Sequence, residues 1–317
     1  MTKSRLDNLS PTLPKAIVPL TEYGIVSLHG KDAGRFLQGQ ISCNIEEVTA
    51  HTYQTGTANT AKGRTYSFFR IAQQGDAYLL RMPKTMIPLF ESIMGKYSVF
   101  YKAQIQPETQ WQVSGIMNQA CLAQVEQNIP DNFGQNINET WSDKNKIFMP
   151  SPDQSDRFEC WHKEPLPTTS LIGLSSYSDA DWRWLDMLSG IPELCPAISD
   201  TFIPQMLNLD RWNAIHFQKG CYTGQEIIAR MHYLGKLKKR MQLFLSDNNV
   251  NPKSGSWLLD DQQRKSAQVI RYQQSISGPT LIQAVTPIDP NTAKTSLYLP
   301  NTMATPLALI SMSSNAC

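Results

Sequence analysis

The hydrophobic pattern changes period several times along the chain, and each change marks an element. Tyr23 to Leu28 alternates with period two and predicts a short strand ending at Gly30. Asp32 is placed as the N-cap of a helix carrying Phe36 and Leu37, which the pattern ends at Gly39 as a C′ glycine. Alternation returns at Tyr53–Ala58, Thr65–Ile71 and Ala77–Met82, with turns around Lys62-Gly63-Arg64 and Gln74 to Asp76 between them. Helical spacing of Met86, Ile87, Phe90, Ile93 and Met94 predicts a helix over 86–95 with Pro88 in its first turn, and a strand is expected over Tyr97–Ile105. Such a series makes an α+β layer with helices on one face of a mostly antiparallel sheet.

Beyond it, strand-like pieces fall at Trp111–Ile116, Lys146–Met149 and Arg157–Trp161, with a short helix near Ala120–Gln127 and a polar loop over 127–138. A helix starting at Ser178, with Asp181 at the capping-box position, carries Trp182, Leu185 and Leu188 and stops at Gly190-Ile191-Pro192. Lys236–Leu245 alternates, and short strands near Trp257, Val269–Tyr272, Leu281–Val285 and Ser296–Leu299 read as a small all-β, barrel-like tail. The expected units are 1–105, 106–240 and 241–317, with residues 1–16 a loose arm and 165–169 a linker.

Composition narrows the function classes. A chain of 317 residues exceeds one ordinary core, and its net charge of +2 is too small to argue nucleic-acid binding from bulk charge. No apolar run reaches the length of a membrane span and the N-terminus has no leader-like apolar core, so a soluble, cytoplasmic protein is expected. The six cysteines are scattered with no CxxC pair, and the five histidines form no ligand spacing, so neither disulfides nor a protein-held metal is expected.

The densest chemistry lies in Lys219-Gly220-Cys221-Tyr222-Thr223-Gly224-Gln225-Glu226. Thr223 and Glu226 have capping-box spacing, predicting a helix over 224–231 with Ile227, Ile228 and Met231 inward. Cys221 would then sit at the helix entrance, where free N–H groups and Lys219 favour a thiolate. The same spacing is equally that of a small buried cysteine in a tight turn. Lys62-Gly63-Arg64 could hold an anion, though its spacing favours a hairpin. Arg230, His232, Lys236, Lys238, Lys239 and Arg240 form a basic run that reads first as a solvated face and only weakly as a nucleic-acid contact.

Phe217, Lys219-Gly220-Cys221-Tyr222, Gly224-Gln225-Glu226, the following Ala229-Arg230, the upstream Phe202-Ile203-Pro204-Gln205 and Leu37-Gln38-Gly39-Gln40 resemble the motifs of the YgfZ family. These are folate-binding relatives of the glycine-cleavage aminomethyltransferase, GcvT. The resemblance implies a GcvT/YgfZ-like multidomain ring of α+β class, with a ferredoxin-like N-terminal lobe and a C-terminal β-barrel. It implies tetrahydrofolate or a derivative near Tyr23, Trp182, Lys62, Arg64, Tyr222, Gln225, Glu226 and Arg230, and Cys221 as the reactive thiol beside Lys219. It also implies support of iron–sulfur cluster assembly or repair in client enzymes, including tRNA-modifying methylthiotransferases, with tRNA a weak or indirect partner. Two departures stand out. True aminomethyltransferases carry a catalytic aspartate after the glycine turn, where this chain has Thr65-Tyr66-Ser67-Phe68-Phe69, and many relatives have a glutamate where Leu188 stands. Activity as an aminomethyltransferase, or service as a tRNA- or partner-binding scaffold, are the alternatives.

Overall fold

The chain's alternating segments pair into three five-stranded sheets in a computed structural model that describes residues 13–167, 173–275, 278–288, 296–300 and 306–310. After β1 (Ala16–Pro19) come β2 (Tyr23–His29), α1 (Ala33–Gln40), β3 (Gln54–Asn59), β4 (Thr65–Gln74), β5 (Ala77–Pro83), α2 (Ile87–Ser98) and β6 (Gln104–Glu108). The first sheet has the order β3-β4-β5-β2-β6, and both helices cover one of its faces. Phe36 and Leu37 of α1 and Phe90 and Met94 of α2 share a core with Val26, Leu28, Ile71, Leu80 and Met82. Ile25, Ala72 and Leu79 turn to the opposite face, as period two requires.

Three local expectations change here. Gly39 lies inside the last turn of α1, whose C-cap is Ile41. The Asp32 carboxylate accepts from the Lys102 backbone N–H at 2.9 Å rather than capping the helix. Tyr97 belongs to α2, Val99 and Phe100 form a surface tip at 73% and 82% exposure, and of the strand expected over 97–105 only the end, from Gln104, is in β6.

The second sheet runs β1-β7-β10-β9-β8, with β7 (Gln112–Met117), β8 (Trp141–Ser142), β9 (Lys146–Pro150) and β10 (Arg157–His162). Its edge strand β1 begins at the last residue of the expected arm, of which residues 1–12 lie outside the described residues, as does part of the expected linker. Helix α3 (Gln119–Val125) packs on one face with Phe158 and Cys160, leaving Arg157, Glu159 and Trp161 on the other. Helix α4 (Asp179–Leu188) starts with the expected capping box: Ser178 Oγ accepts from Asp181 N, and the Asp181 carboxylate accepts from Ser178 N at 2.8 Å. Helix α5 (Gln225–Tyr233) leads to the third sheet, β12-β13-β14-β11-β15. Those strands are β11 (Lys239–Ser246), β12 (Trp257–Leu259), β13 (Lys265–Gln274), β14 (Thr280–Pro287) and β15 (Ala308–Ile310). Isolated bridges Leu259↔Tyr298 and Leu297↔Leu307 carry pairing from β12 round to the residue entering β15, curling this sheet into a barrel.

The three sheets meet in one core. Ile25, Ala72 and Leu79 face Val113, Ile147, Met149 and Trp161, and the barrel adds Leu243, Leu245 and Leu281. A charged knot sits among them. Arg70 and Arg81 stand directly opposite each other on β4 and β5, an arrangement that like charges destabilise. Both reach Glu159 on β10: Arg70 Nη1 lies 2.9 Å from Oε1, and Arg81 donates through Nε to Oε2 at 3.2 Å and through Nη2 to Oε1. Trp161 Nε1 donates to Oε2 at 3.1 Å. Burial alone would push the Glu159 carboxyl up, but Arg70 and then Arg81 outweigh it and hold it below the usual carboxylate range.

Removing one member of such a cluster strands buried charge, so Glu159→Gln should cost about 3–5 kcal/mol in urea unfolding at neutral pH. A carboxyl depressed in the folded state stabilises above its unfolded pKa and loses that contribution as pH falls through the folded one. Wild type should therefore shed this increment below about pH 4, and the Glu159→Gln difference should shrink there.

Candidate functional site

The KGCYTGQE loop is held by the end of α1. His216 N donates to Ser42 O at 2.9 Å, Thr223 N to Gly39 O at 3.1 Å, and Thr223 Oγ1 to Gln40 Oε1 at 3.1 Å. Lys219 is buried and its ammonium donates to the carbonyls of Ile41 at 2.9 Å and Cys43 at 2.6 Å. Burial pulls its pKa down to about 8. Lys219 thus bridges the loop to the first lobe, with its charge spent on backbone oxygens. Tyr222 is buried beside it with Ile215 and Ile228.

The capping box expected at Thr223 and Glu226 does not form, because the N-cap is Gly224 in a left-handed conformation and Thr223 is turned to Gln40. Gly224 is required there. A Cβ on it would lie 2.5 Å from Thr60 O, and one on Gly63 would lie 2.9 Å from Ile227 Cβ. The two glycines, at φ +84° and +69°, let the Lys62–Arg64 turn lie against the start of α5. That contact leaves Ile227 and Glu226 exposed and Met231 half-buried, so only Ile228 anchors the helix. Cys221, Lys62, Arg64 and Arg230 are exposed, and Gln225 is half-buried with its amide toward Lys219 O. The structure therefore brings Cys221, Lys62, Arg64, Gln225, Glu226 and Arg230 to one surface region around two touching turns.

A second feature lies at the lobe junction. Tyr23, Phe68, Arg70, Arg81, Asp186, Pro192 and Glu193 line a hollow whose free space is about 10 Å³, room for one water. Tyr23 donates its hydroxyl to Glu193, and Arg81 lies over the Tyr23 ring at 3.7 Å. Burial, then Glu193, pushes the Tyr23 phenol up, so it stays a donor. Glu193 also faces Arg271 at 3.5 Å and forms the wall shared with an outer hollow of about 160 Å³ lined by Arg183, Met187, Ser254 and Arg271. Burial raises the Asp186 carboxyl in spite of Arg157, 2.9 Å away. No residue of 217–226 lines either hollow.

Trp182 does not line them either. It is fully buried against Gly115, where a Cβ would meet its ring at 2.4 Å, with the Arg157 guanidinium 4.7 Å from the ring centroid. Its Nε1 has no hydrogen-bond partner among the described residues. A pterin edge offers N–H donors beside a carbonyl; Glu193 and Asp186 of the inner hollow suit the donors, and Arg271, which lines the outer hollow across Glu193 and whose Nη1 makes no hydrogen bond, suits the carbonyl. The polar groups suit a folate edge, while the inner hollow, with room for one water, does not admit a pterin ring in this arrangement. Among the described residues, no group of three or more His, Cys, Asp or Glu could hold a metal ion.

Sequence reading missed Arg70, Arg81, Asp186, Glu193 and Phe68. The available signal was Glu193 directly after Gly190-Ile191-Pro192, and two arginines within otherwise apolar strands. Two outcomes follow. Trp182→Ala should destabilise the fold by about 3–5 kcal/mol, as core aromatic truncations do, when measured by denaturant unfolding. A maleimide should modify exposed Cys221 before buried Cys43, Cys121 and Cys160, as read by peptide mass spectrometry of the native protein.

No family model matches the chain. It is 29% identical over 297 residues, 90% of this chain and 89% of the relative, to the tRNA-modifying protein YgfZ of Colwellia psychrerythraea strain 34H. Its fold superposes on the glycine cleavage system aminomethyltransferase T of Bartonella henselae with a TM-score of 0.67 at 11% identity, covering 99% of this chain and 89% of that one. No helix among the described residues is long and apolar enough to cross a membrane. Along nearly its whole length the chain is thus similar to a YgfZ protein, and its fold is that of the glycine-cleavage aminomethyltransferase.

Proposed function

We propose that this chain is a tetrahydrofolate-binding accessory protein that supports assembly or repair of iron–sulfur clusters in client enzymes, tRNA-modifying methylthiotransferases among them, in the cytoplasm. The observation that carries the reading is the pairing of a charged hollow at the lobe junction with a separate, rigidly held loop that exposes Cys221. Glu193, Asp186 and Arg271 would hold the polar edge of the folate, with the Tyr23 hydroxyl orienting Glu193. When bound, tetrahydrofolate supplies a carrier for a one-carbon unit. Cys221 offers an exposed thiol to a client, and Lys62 and Arg230 are exposed on the touching turn and on α5, while the Arg64 guanidinium donates to Thr201 O.

Aminomethyl transfer is the weaker reading. Residues 65–69 contain no carboxylate, and the acids in the hollow, Asp186 and Glu193, are already engaged with arginines, so a free general base is missing.

Two measurements test the proposal. Tetrahydrofolate titrated into the protein should bind, and Glu193→Gln should weaken it by about 1.5–3 kcal/mol, the scale of a hydrogen bond to a charged group. An unchanged Kd in a folded Glu193→Gln protein would remove this hollow from the account. In cells lacking the protein, Cys221→Ala should fail to restore a client iron–sulfur enzyme; full rescue would leave only the folate role.

A further inference from the structure

The outer end of α5 presents a surface that neither the folate hollow nor Cys221 uses. Tyr233 is 63% and Leu234 84% exposed, although both are large and apolar. They are not isolated. Phe217 stacks on His232 with ring centroids 3.8 Å apart and planes 17° from parallel. Tyr233 stands edge-on to both rings, at 4.8 Å from His232 and 6.1 Å from Phe217. Three rings thus fix one another in a platform open to solvent. Within the last turn of α5 and the segment that follows it, Arg230, Lys236 and Lys238 are exposed, and none is in an ion pair among the described residues. The only acid on α5 is Glu226, in its first turn, at the far end from the rings. Further along, Lys239 and Lys265 each place an ammonium 6.0 Å from the Trp257 ring.

Rings interleaved with unpaired cations match one partner chemistry. Unpaired bases stack on aromatic faces while cations meet the phosphates between them. A duplex keeps its bases inside, so it would use the cations and leave the rings idle. We propose that the Phe217–His232–Tyr233 platform, with Arg230, Lys236 and Lys238, docks an unpaired stretch of RNA. The inference gives the proposed function a surface for RNA, and it stands whether or not folate binds.

The test uses the full chain and a fluorescently labelled single-stranded RNA of about twelve nucleotides, with the same sequence as a duplex, at about 50 to 200 mM salt. The single strand should bind more tightly than the duplex, and log K should fall with log salt at a slope of about −2 for three neutralised phosphates. Tyr233→Ala should weaken the single strand by about tenfold, in keeping with loss of one base stack. Lys236→Ala with Lys238→Ala should flatten the slope by about 1.4. Tetrahydrofolate affinity should be the same in all three proteins, so failure here is separable from failure of the folate reading. Equal binding of duplex and single strand with no effect of Tyr233→Ala would overturn the proposal. So would absence of RNA binding at the lowest salt while Tyr233→Ala abolishes client rescue, which would assign the platform to a protein partner.

Discussion

Glu159 is the carboxylate on which the architecture turns. Two arginines face each other across β4 and β5, and without a shared anion their repulsion would destabilise the pairing of those strands. The anion comes from the other lobe, so resolving the repulsion also docks the two sheets. Buried ion clusters of this kind contribute little net stability against an apolar packing, yet they cost much when one partner is lost. That asymmetry suits a junction that must hold one geometry. Arg81 couples it to the hollow, since the guanidinium that binds Glu159 also covers the Tyr23 ring. The charge pattern of the hollow is thereby set by the lobe interface.

The loop with Cys221 depends on a different device. Backbone carbonyls at Gly39, Ile41 and Cys43 receive Thr223 N and the Lys219 ammonium, and two left-handed glycines lock the Lys62 turn against α5. Every stitch is inward, and the thiol is left facing out. A ligand at the junction and a partner at the loop would therefore meet different surfaces of one rigid frame. Family resemblance had drawn Tyr23, Trp182 and the Cys221 loop together around one folate; the structure gives Tyr23 to the hollow, Trp182 to the core and the loop to the surface.

Much of the fold was readable because the strands alternate cleanly and Ser178 and Asp181 form the box their spacing announces. The α+β class, the sheet-and-helix layering of the first lobe and the β-rich tail all followed from period alone. What failed did so for local reasons. Residues 97–105 alternate, but α2 continues through Ser98, Val99 and Phe100 face solvent, and the strand begins only at Gln104. Short β1 finds its partner about a hundred residues away, which no window detects. Ile227 has helical spacing for burial, yet a neighbouring turn occupies only its side. The Lys219 bond partners are backbone carbonyls, invisible to any motif. Arg70 and Arg81 go unnoticed in the sequence because the carboxylate that pairs with them lies on another sheet.

The central claim is that ligand and thiol occupy separate sites on one frame. Hydrogen exchange read by mass spectrometry, with and without tetrahydrofolate, tests it directly, because exchange reports local opening segment by segment. The account predicts added protection at 186–194 and across β4 and β5 near Phe68 and Arg81, with no change at 217–226. Protection centred on 217–226, with the hollow unaltered, would contradict it.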